Sequence, residues 1–122
     1  MTTMAANAET TYYNTYHHPA ADTAAVCTVA ANALQTWVLD WILWSYDKVN
    51  PTAAETVTVT IGGDTVLIID IPVGAAGTPQ APQFVPFPKG LYKPAKNEAL
   101  VVTLSANSGT TTGKMNIGYH YW

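Results

Sequence analysis

The clearest structural signal in the chain lies at residues 55–71, which read ETVTVTIGGDTVLIIDI. At its start, β-branched apolar residues alternate with threonine, which is typical of a β-strand with one buried and one exposed face. Gly62, Gly63 and Asp64 form a tight-turn sequence, so residues 65–71 are predicted to return as the second strand of a hairpin. Apolar side chains occupy both faces of this second strand, and we therefore predict that it is covered on both sides.

Other strands follow from similar patterns elsewhere in the chain. Alternation is clear at residues 100–105 (LVVTLS) and 114–122 (KMNIGYHYW), and a further strand is predicted at about residues 24–31 (AAVCTVAA). Five of the eight prolines fall within residues 72–88. Because proline cannot donate to a central ladder, this segment is predicted to be a long extended loop with a short edge strand around Phe84-Val85.

Residues 36–46 (TWVLDWILWSY) are compatible with two structures. A helix has some support, because five apolar residues recur at helical spacing: Leu34, Trp37, Val38, Trp41 and Ile42. Three tryptophans, a valine and an isoleucine favour a strand instead, and no convincing N-cap precedes Leu34. We predict a strand.

Seven or eight short strands with no firm helix indicate a single antiparallel β-sandwich. Jelly-roll and immunoglobulin-like arrangements both fit, but the single cysteine, Cys27, excludes the paired cysteines of an antibody domain, so an all-β, jelly-roll-like sandwich is predicted. We place this domain at residues 23–122 and an extended N-terminal arm at residues 1–22. The arm is polar and shows no periodicity, so we expect a neighbouring subunit to hold it in place.

Composition limits the partners that the chain can have. Its 122 residues suffice for one domain and include five lysines, no arginine and a net charge of −3. Nucleic-acid binding is therefore not expected. No apolar run approaches the length of about 20 residues that spans a bilayer, and the N-terminal residues lack the pattern of a signal peptide, so we expect synthesis in a cytoplasm. Only 11% of residues are charged, whereas 18 are threonine and 18 alanine, which suits a surface partly covered by partners.

No catalytic, metal or cofactor site is predicted. His17 and His18 are adjacent, so in a strand they point to opposite faces and cannot share a metal with each other. Cys27 lies in an alanine- and valine-rich strand and is expected to be a small buried side chain. The serines lie in no Gly-x-Ser-x-Gly sequence, and no two acidic residues form a recognisable catalytic pair. Asp47 and Asp64 are interpreted as turn residues.

Aromatic residues are the strongest candidates for function. Eight of them could form a sugar-binding platform or serve as core and interface anchors: Trp37, Trp41, Trp44, Tyr46, Tyr92, Tyr119, Tyr121 and Trp122. Anchoring is the more common role of tryptophan and tyrosine. The sequence leaves both roles open.

The order of these segments along the chain resembles one known family. Residues 37–47 are followed by the threonine-rich hairpin, by a proline-rich loop ending FVPFP at 84–88, and by ALVVTLS at 99–105 and GKMNI at 113–117. This order resembles small β-sandwich virion proteins of tailed bacteriophages, of the capsid decoration (cement) type, over about residues 24–122. The resemblance implies a non-enzymatic protein, commonly trimeric, that is made in the host cytoplasm, sits on the capsid surface and fastens neighbouring major capsid subunits.

On this reading, the chain contacts virion subunits as a homotrimer, without cofactor, nucleic acid or membrane. The predicted interface residues are Tyr12, Tyr13, Tyr16, His17, His18, Trp44, Tyr46, Phe84, Phe87, Tyr92 and Trp122. The alternative is a carbohydrate-binding or host-recognition module of a phage tail or fibre, which requires exposed aromatic rings. A small hydrolase is a more distant third possibility.

Overall fold

The computed structural model describes residues 10–47, 55–71, 82–106 and 111–122, and every structural statement below refers to these residues. They contain eight β-strands and no helix: β1 (Tyr13–His17), β2 (Ala25–Val29), β3 (Trp37–Tyr46), β4 (Glu55–Ile61), β5 (Asp64–Ile71), β6 (Gln83–Tyr92), β7 (Leu100–Leu104) and β8 (Gly113–Tyr121). Within this part of the chain, no helix is long and apolar enough to cross a membrane.

The strands form two four-stranded antiparallel sheets with the orders β1-β8-β3-β6 and β2-β7-β4-β5. Each sheet pairs strands that are distant in sequence, and the chain passes repeatedly from one sheet to the other. This arrangement is a jelly roll, in which two sheets pack face to face. The predicted all-β, jelly-roll-like sandwich is confirmed.

The core lies between the two sheets and follows the alternation in the sequence. In β4, Val57, Val59 and Ile61 are buried, whereas the intervening threonines are only half-buried on the outward face. Ile42 of β3 and Ile117 of β8 face them from the other sheet and are fully buried. Burial of branched aliphatic side chains on two facing sheets contributes most of the stability of such a sandwich.

Residues 37–46 form a strand, as predicted, and the helical alternative is wrong. β3 is a central strand that pairs with β8 on one side and β6 on the other, so its backbone groups are committed to two ladders. Leu39 and Ile42 face the core, and Val38 lies on the opposite face of the sheet. The helical spacing arises because one extra residue interrupts the period of two at Asp40.

Two expectations about edge strands need correction. We expected β5 to be covered on both sides, but it is the outermost strand of its sheet. Ile68 is 59% exposed, because nothing in the described part of the chain packs over its outward face. β6 is longer than the short edge strand predicted, although it does lie at an edge, where prolines are tolerated. The rest of the predicted proline-rich loop, at residues 72–81, lies outside the described residues.

The N-terminal region contributes a strand of its own. Residues 13–17, within the segment expected to be an arm, form β1 and pair with β8 from Tyr13–Tyr119 to His17–Met115. Pairing with β8 of the same chain therefore holds this part of the segment in place. His17 adds a link to the second sheet, because the backbone N–H of Val26 in β2 donates to its Nδ1 at 2.9 Å.

Candidate functional site

A β-bulge in β3 shapes the outward face of the β1-β8-β3-β6 sheet. Leu39 pairs with Tyr119 and Trp41 pairs with Gly118, so Asp40 is an extra residue with no partner across the ladder. A bulge of this kind redirects side chains. As a result, both Asp40 and Trp41 lie on the outward face.

Trp41 occupies the centre of this face because its cross-strand partner is glycine. A β-carbon built at Gly118 would overlap the five-membered ring of the Trp41 indole, so the ring lies directly on the backbone of β8. The ring of Phe84, on β6, is 6.0 Å away between centroids. The two rings form an aromatic surface across the middle and one edge of the sheet.

Asp40 and His120 form a pair beside Trp41. The His120 Nδ1 lies 2.9 and 2.8 Å from the two carboxylate oxygens of Asp40, and both side chains are largely buried. The ring of Tyr12 covers His120 edge-on at 5.3 Å. No serine or cysteine among the described residues is hydrogen-bonded to this pair. The pair fixes the bulge and the Tyr12 ring in position.

Five aromatic residues on this side of the sheet form what we call the aromatic face: Tyr12, Tyr16, Trp41, Phe84 and Tyr92. Tyr12, Tyr16 and Phe84 are 68%, 64% and 58% exposed. Two more predicted interface residues adjoin this face, since His18 contacts the Tyr16 ring at 4.7 Å and Trp122 contacts the Tyr92 ring at 4.6 Å. The structure thus brings together six of the predicted interface residues: Tyr12, Tyr16, His18, Phe84, Tyr92 and Trp122.

The remaining predicted interface residues lie elsewhere. Trp44 and Tyr46 are buried in the core on the inward face of β3, so a partner cannot contact their rings without opening the sandwich. Phe87 is half-buried against the same core. His17 lies on the inward side of β1 at the β2 edge, and Tyr13 lines a cleft at the end of the sandwich.

That cleft is lined by aromatic residues that the sequence analysis named but did not place together. It has a volume of about 340 Å³, and we call it the aromatic cleft. Its lining residues come from β1, β3, β8 and the β2–β3 loop: Tyr13, Asn32, Gln35, Trp37, Tyr119 and Tyr121. The four aromatic residues meet because Tyr13 is opposite Tyr119 and Trp37 is opposite Tyr121 in the two ladders of β8. Sequence alone does not give this register.

A buried polar network lies at the opposite end of β3. The Tyr46 hydroxyl donates to the Ser105 carbonyl oxygen at 2.7 Å, and the Ser105 hydroxyl donates to the Glu55 carboxylate at 2.6 Å. The backbone N–H of Thr56 donates to the Ser105 Oγ at 2.9 Å. Burial raises the pKa of Tyr46 to about 12. Ser105 therefore has a structural role, joining β7 to β3 and β4.

The other candidate reactive residues, Cys27, Asp47 and Asp64, are buried or make contacts that stabilise the fold. Cys27 is buried as expected, and desolvation raises the pKa of its thiol to about 11, which keeps it protonated and unreactive. Asp47 acts as a turn residue, since its Oδ1 accepts from the Thr112 N–H at 2.8 Å. Asp64 pairs with Lys93, which also pairs with Glu98, each at 2.9 Å. Across the described ranges, no three metal-ligating side chains of His, Cys, Asp or Glu lie together.

Comparisons with known proteins give a distant structural likeness and no family. No protein-family model matches the chain, and no curated protein matches it. The chain is similar to the solved CBM36-1 domain of a multidomain xylanase from the hindgut metagenome of Trinervitermes trinervoides, with 14% sequence identity and a TM-score of 0.44. The likeness covers 86% of this chain and 74% of that one. At this identity and TM-score, the likeness is too distant to carry function across.

Proposed function

We propose that this chain is a non-enzymatic virion structural protein, a capsid decoration protein that binds the major capsid lattice through its aromatic face and stabilises it. The exposure of that face is the observation that supports the proposal. Tyr12, Tyr16 and Phe84 each leave more than half of their surface in solvent. Exposed aromatic side chains gathered on one face of a sheet are typical of an interaction surface.

Size and charge favour a protein partner on this face. Aromatic side chains extend from β1 at one edge to β6 at the other, and four strands at a spacing of about 4.8 Å make this width roughly 14 Å. Asp40 is hydrogen-bonded to His120 and largely buried, and Lys114 lies near one end. Aromatic residues with little charge are typical of the centre of a protein–protein interface.

The opposite outward face is also poor in charge but differs in character. Its outward residues on β2, β7, β4 and β5 are small or β-branched with one acid: Val26, Thr28, Thr56, Thr58, Thr60, Thr65, Ile68, Asp70, Val101 and Thr103. Among the described residues of this face, none is aromatic. It therefore provides a matched control surface for variants of the aromatic face.

For binding to a capsid lattice, each single contact can be weak. One subunit that touches several capsid sites, or that assembles as a homotrimer, gains avidity because each contact raises the effective concentration of the next. We propose the homotrimer as the form that binds. Sedimentation equilibrium of untagged protein at micromolar concentration measures this directly, and a mass three times 13.0 kDa is expected.

The test of the capsid role uses particles purified by density gradient from a culture that produces the chain. Quantitative mass spectrometry is expected to find the chain at a fixed copy number per major capsid protein. The variant Tyr16→Ser/Phe84→Ser is expected to lose most of this occupancy, whereas the control Ile68→Ser retains it. Recovery of the wild-type chain only in the soluble fraction contradicts the proposal.

A further inference from the structure

We propose that the aromatic cleft binds one ring of a neutral saccharide. This inference goes beyond the capsid role and is independent of it, because the cleft lies at the end of the sandwich rather than on the outward aromatic face. The chain can therefore dock on a lattice with or without a sugar in the cleft. The ring geometry, the rigidity and the uncharged lining of the cleft support saccharide binding.

The rings of the cleft present flat surfaces in two orientations. Tyr13 lies nearly parallel to Tyr119 and Tyr121, at 5.6 and 6.0 Å between centroids and with interplanar angles of 23°. The Trp37 indole stands almost perpendicular to Tyr119 and Tyr121, at 85° and 83°. Aromatic rings in two orientations therefore line the cleft. Flat, partly apolar ligands suit such walls.

Hydrogen bonds hold these walls in place before any ligand arrives. The Trp37 Nε1 donates to the Ala30 carbonyl oxygen at 3.0 Å. The Tyr13 hydroxyl is hydrogen-bonded to Tyr121, and this bond raises the pKa of Tyr13. The β2–β3 loop is fixed by the Asn97 N–H, which donates to the carbonyl oxygens of Asn32 and Gln35 at 3.0 and 3.3 Å. A preformed site loses little conformational entropy on binding.

The polar groups at the cleft indicate hydroxyl groups on the ligand. All six lining residues are uncharged, so a neutral ligand is favoured over a phosphate, a carboxylate or an amine. The Gln35 side chain makes no hydrogen bond within the described part of the chain, and its amide can both donate and accept. Tyrosine hydroxyls have the same dual capacity. A pyranose combines a C–H face that stacks on aromatic rings with hydroxyl groups that donate and accept.

The size of the cleft fits a small ligand. Its volume of about 340 Å³ lies at the lower end of the range of roughly 300–1,000 Å³ for ligand sites. Because the cleft is open to solvent, one ring of a longer chain can enter while the rest remains outside. The structure therefore favours an oligosaccharide or polysaccharide segment over an enclosed metabolite.

The test is a titration of the ¹⁵N-labelled full chain with four neutral hexasaccharides: cellohexaose, xylohexaose, mannohexaose and maltohexaose. The indole N–H signal of Trp37 reports on the cleft, and that of Trp41 reports on the aromatic face. We expect at least one hexasaccharide to shift the Trp37 signal saturably at millimolar or lower concentration. No saturable shift with any of the four overturns the proposal, and so does a shift confined to Trp41.

Two variants separate the cleft from the rest of the surface. Gln35→Ala removes the free amide and keeps the backbone carbonyl that Asn97 uses, so it is expected to weaken binding roughly threefold to tenfold without changing thermal stability. Phe84→Ser, on the aromatic face, is expected to leave the affinity unchanged. Equal affinity of Gln35→Ala and wild type overturns the assignment. Neither result bears on particle occupancy, which Gln35→Ala is expected to leave intact.

Discussion

The indole ring of Trp41 lies on the backbone of Gly118, its direct partner across the β3–β8 ladder. The close approach is possible because residue 118 has no side chain, and the bulge at Asp40 turns the ring towards it. This one relationship places a flat aromatic ring at the centre of the outward face, whose other aromatic rings lie on the edge strands β1 and β6 or beside them. The aromatic face depends on it.

Gly118→Ala is therefore expected to disturb both stability and the face. The added methyl group overlaps the indole, so the ring must move, with a loss of about 1–3 kcal/mol in the free energy of unfolding. Urea unfolding and the tryptophan emission maximum measure the two effects. Asn116→Ala, two residues earlier on the same face of β8, serves as the control and is expected to change little. Wild-type stability and emission in Gly118→Ala contradict the packing described.

Ser105→Ala tests the buried polar network. The change leaves the buried Glu55 carboxylate and the Thr56 N–H without their hydroxyl partner, so the free energy of unfolding is expected to fall by about 1–3 kcal/mol. Ser45→Ala, at an outward position of β3, is the matched control and is expected to stay within about 0.5 kcal/mol of wild type. Chemical denaturation of the three proteins at neutral pH gives the comparison, and equal stabilities would show that the network is not needed.

Because of Tyr46, the free energy of unfolding is expected to change with pH in the alkaline range. Its pKa is about 12 in the folded chain against 10.0 for a free tyrosine, so the unfolded chain releases this proton first. Stability is therefore expected to fall as pH rises through the window from 10 to 12, because the unfolded state then binds fewer protons than the folded state. Tyr46→Phe should flatten this fall, whereas Tyr92→Phe, at a more exposed tyrosine, should keep it. A slope unchanged in Tyr46→Phe contradicts the assignment.

Cys27 is expected to be inert in the folded protein. Burial limits access, and a thiol pKa of about 11 leaves almost no thiolate at neutral pH. Reaction with a thiol-specific disulfide reagent should become detectable only as urea unfolds the chain. The double variant Val26→Cys/Cys27→Ala moves the thiol to the outward side of β2 and should react at once. Rapid labelling of native wild type would show that the β2 edge opens.

Much of the fold could be predicted because its strongest patterns are local. A hairpin is specified by the alternation at residues 55–61, the glycine turn and the return strand, and needs few contacts with distant residues. β1 was not predicted, because an edge strand needs no alternation of apolar residues and its partner, β8, lies about a hundred residues later in the chain. In the sequence, the only sign of the bulge at Asp40 is an interruption in the alternation of apolar residues along β3.

The candidate sites were only partly predictable for a related reason. Tyr16 and Phe84, predicted as interface residues, are exposed at the two edges of the sheet. Trp44 and Tyr46 were predicted in the same way but lie on the inward face of the central strand β3. The aromatic cleft depends on ladder register and on the path of the β2–β3 loop. The spacing of the lining residues along the sequence predicts neither the register nor the loop path.

Hydroxyl-radical footprinting of purified particles against free protein tests the central claim most directly. If the aromatic face contacts capsid subunits, oxidation of Tyr16 and Phe84 falls strongly on the particle, while oxidation of Ile68 on the opposite face is unchanged. Equal oxidation of Tyr16 and Phe84 in both samples, or particles that carry no copy of the chain, would contradict the account.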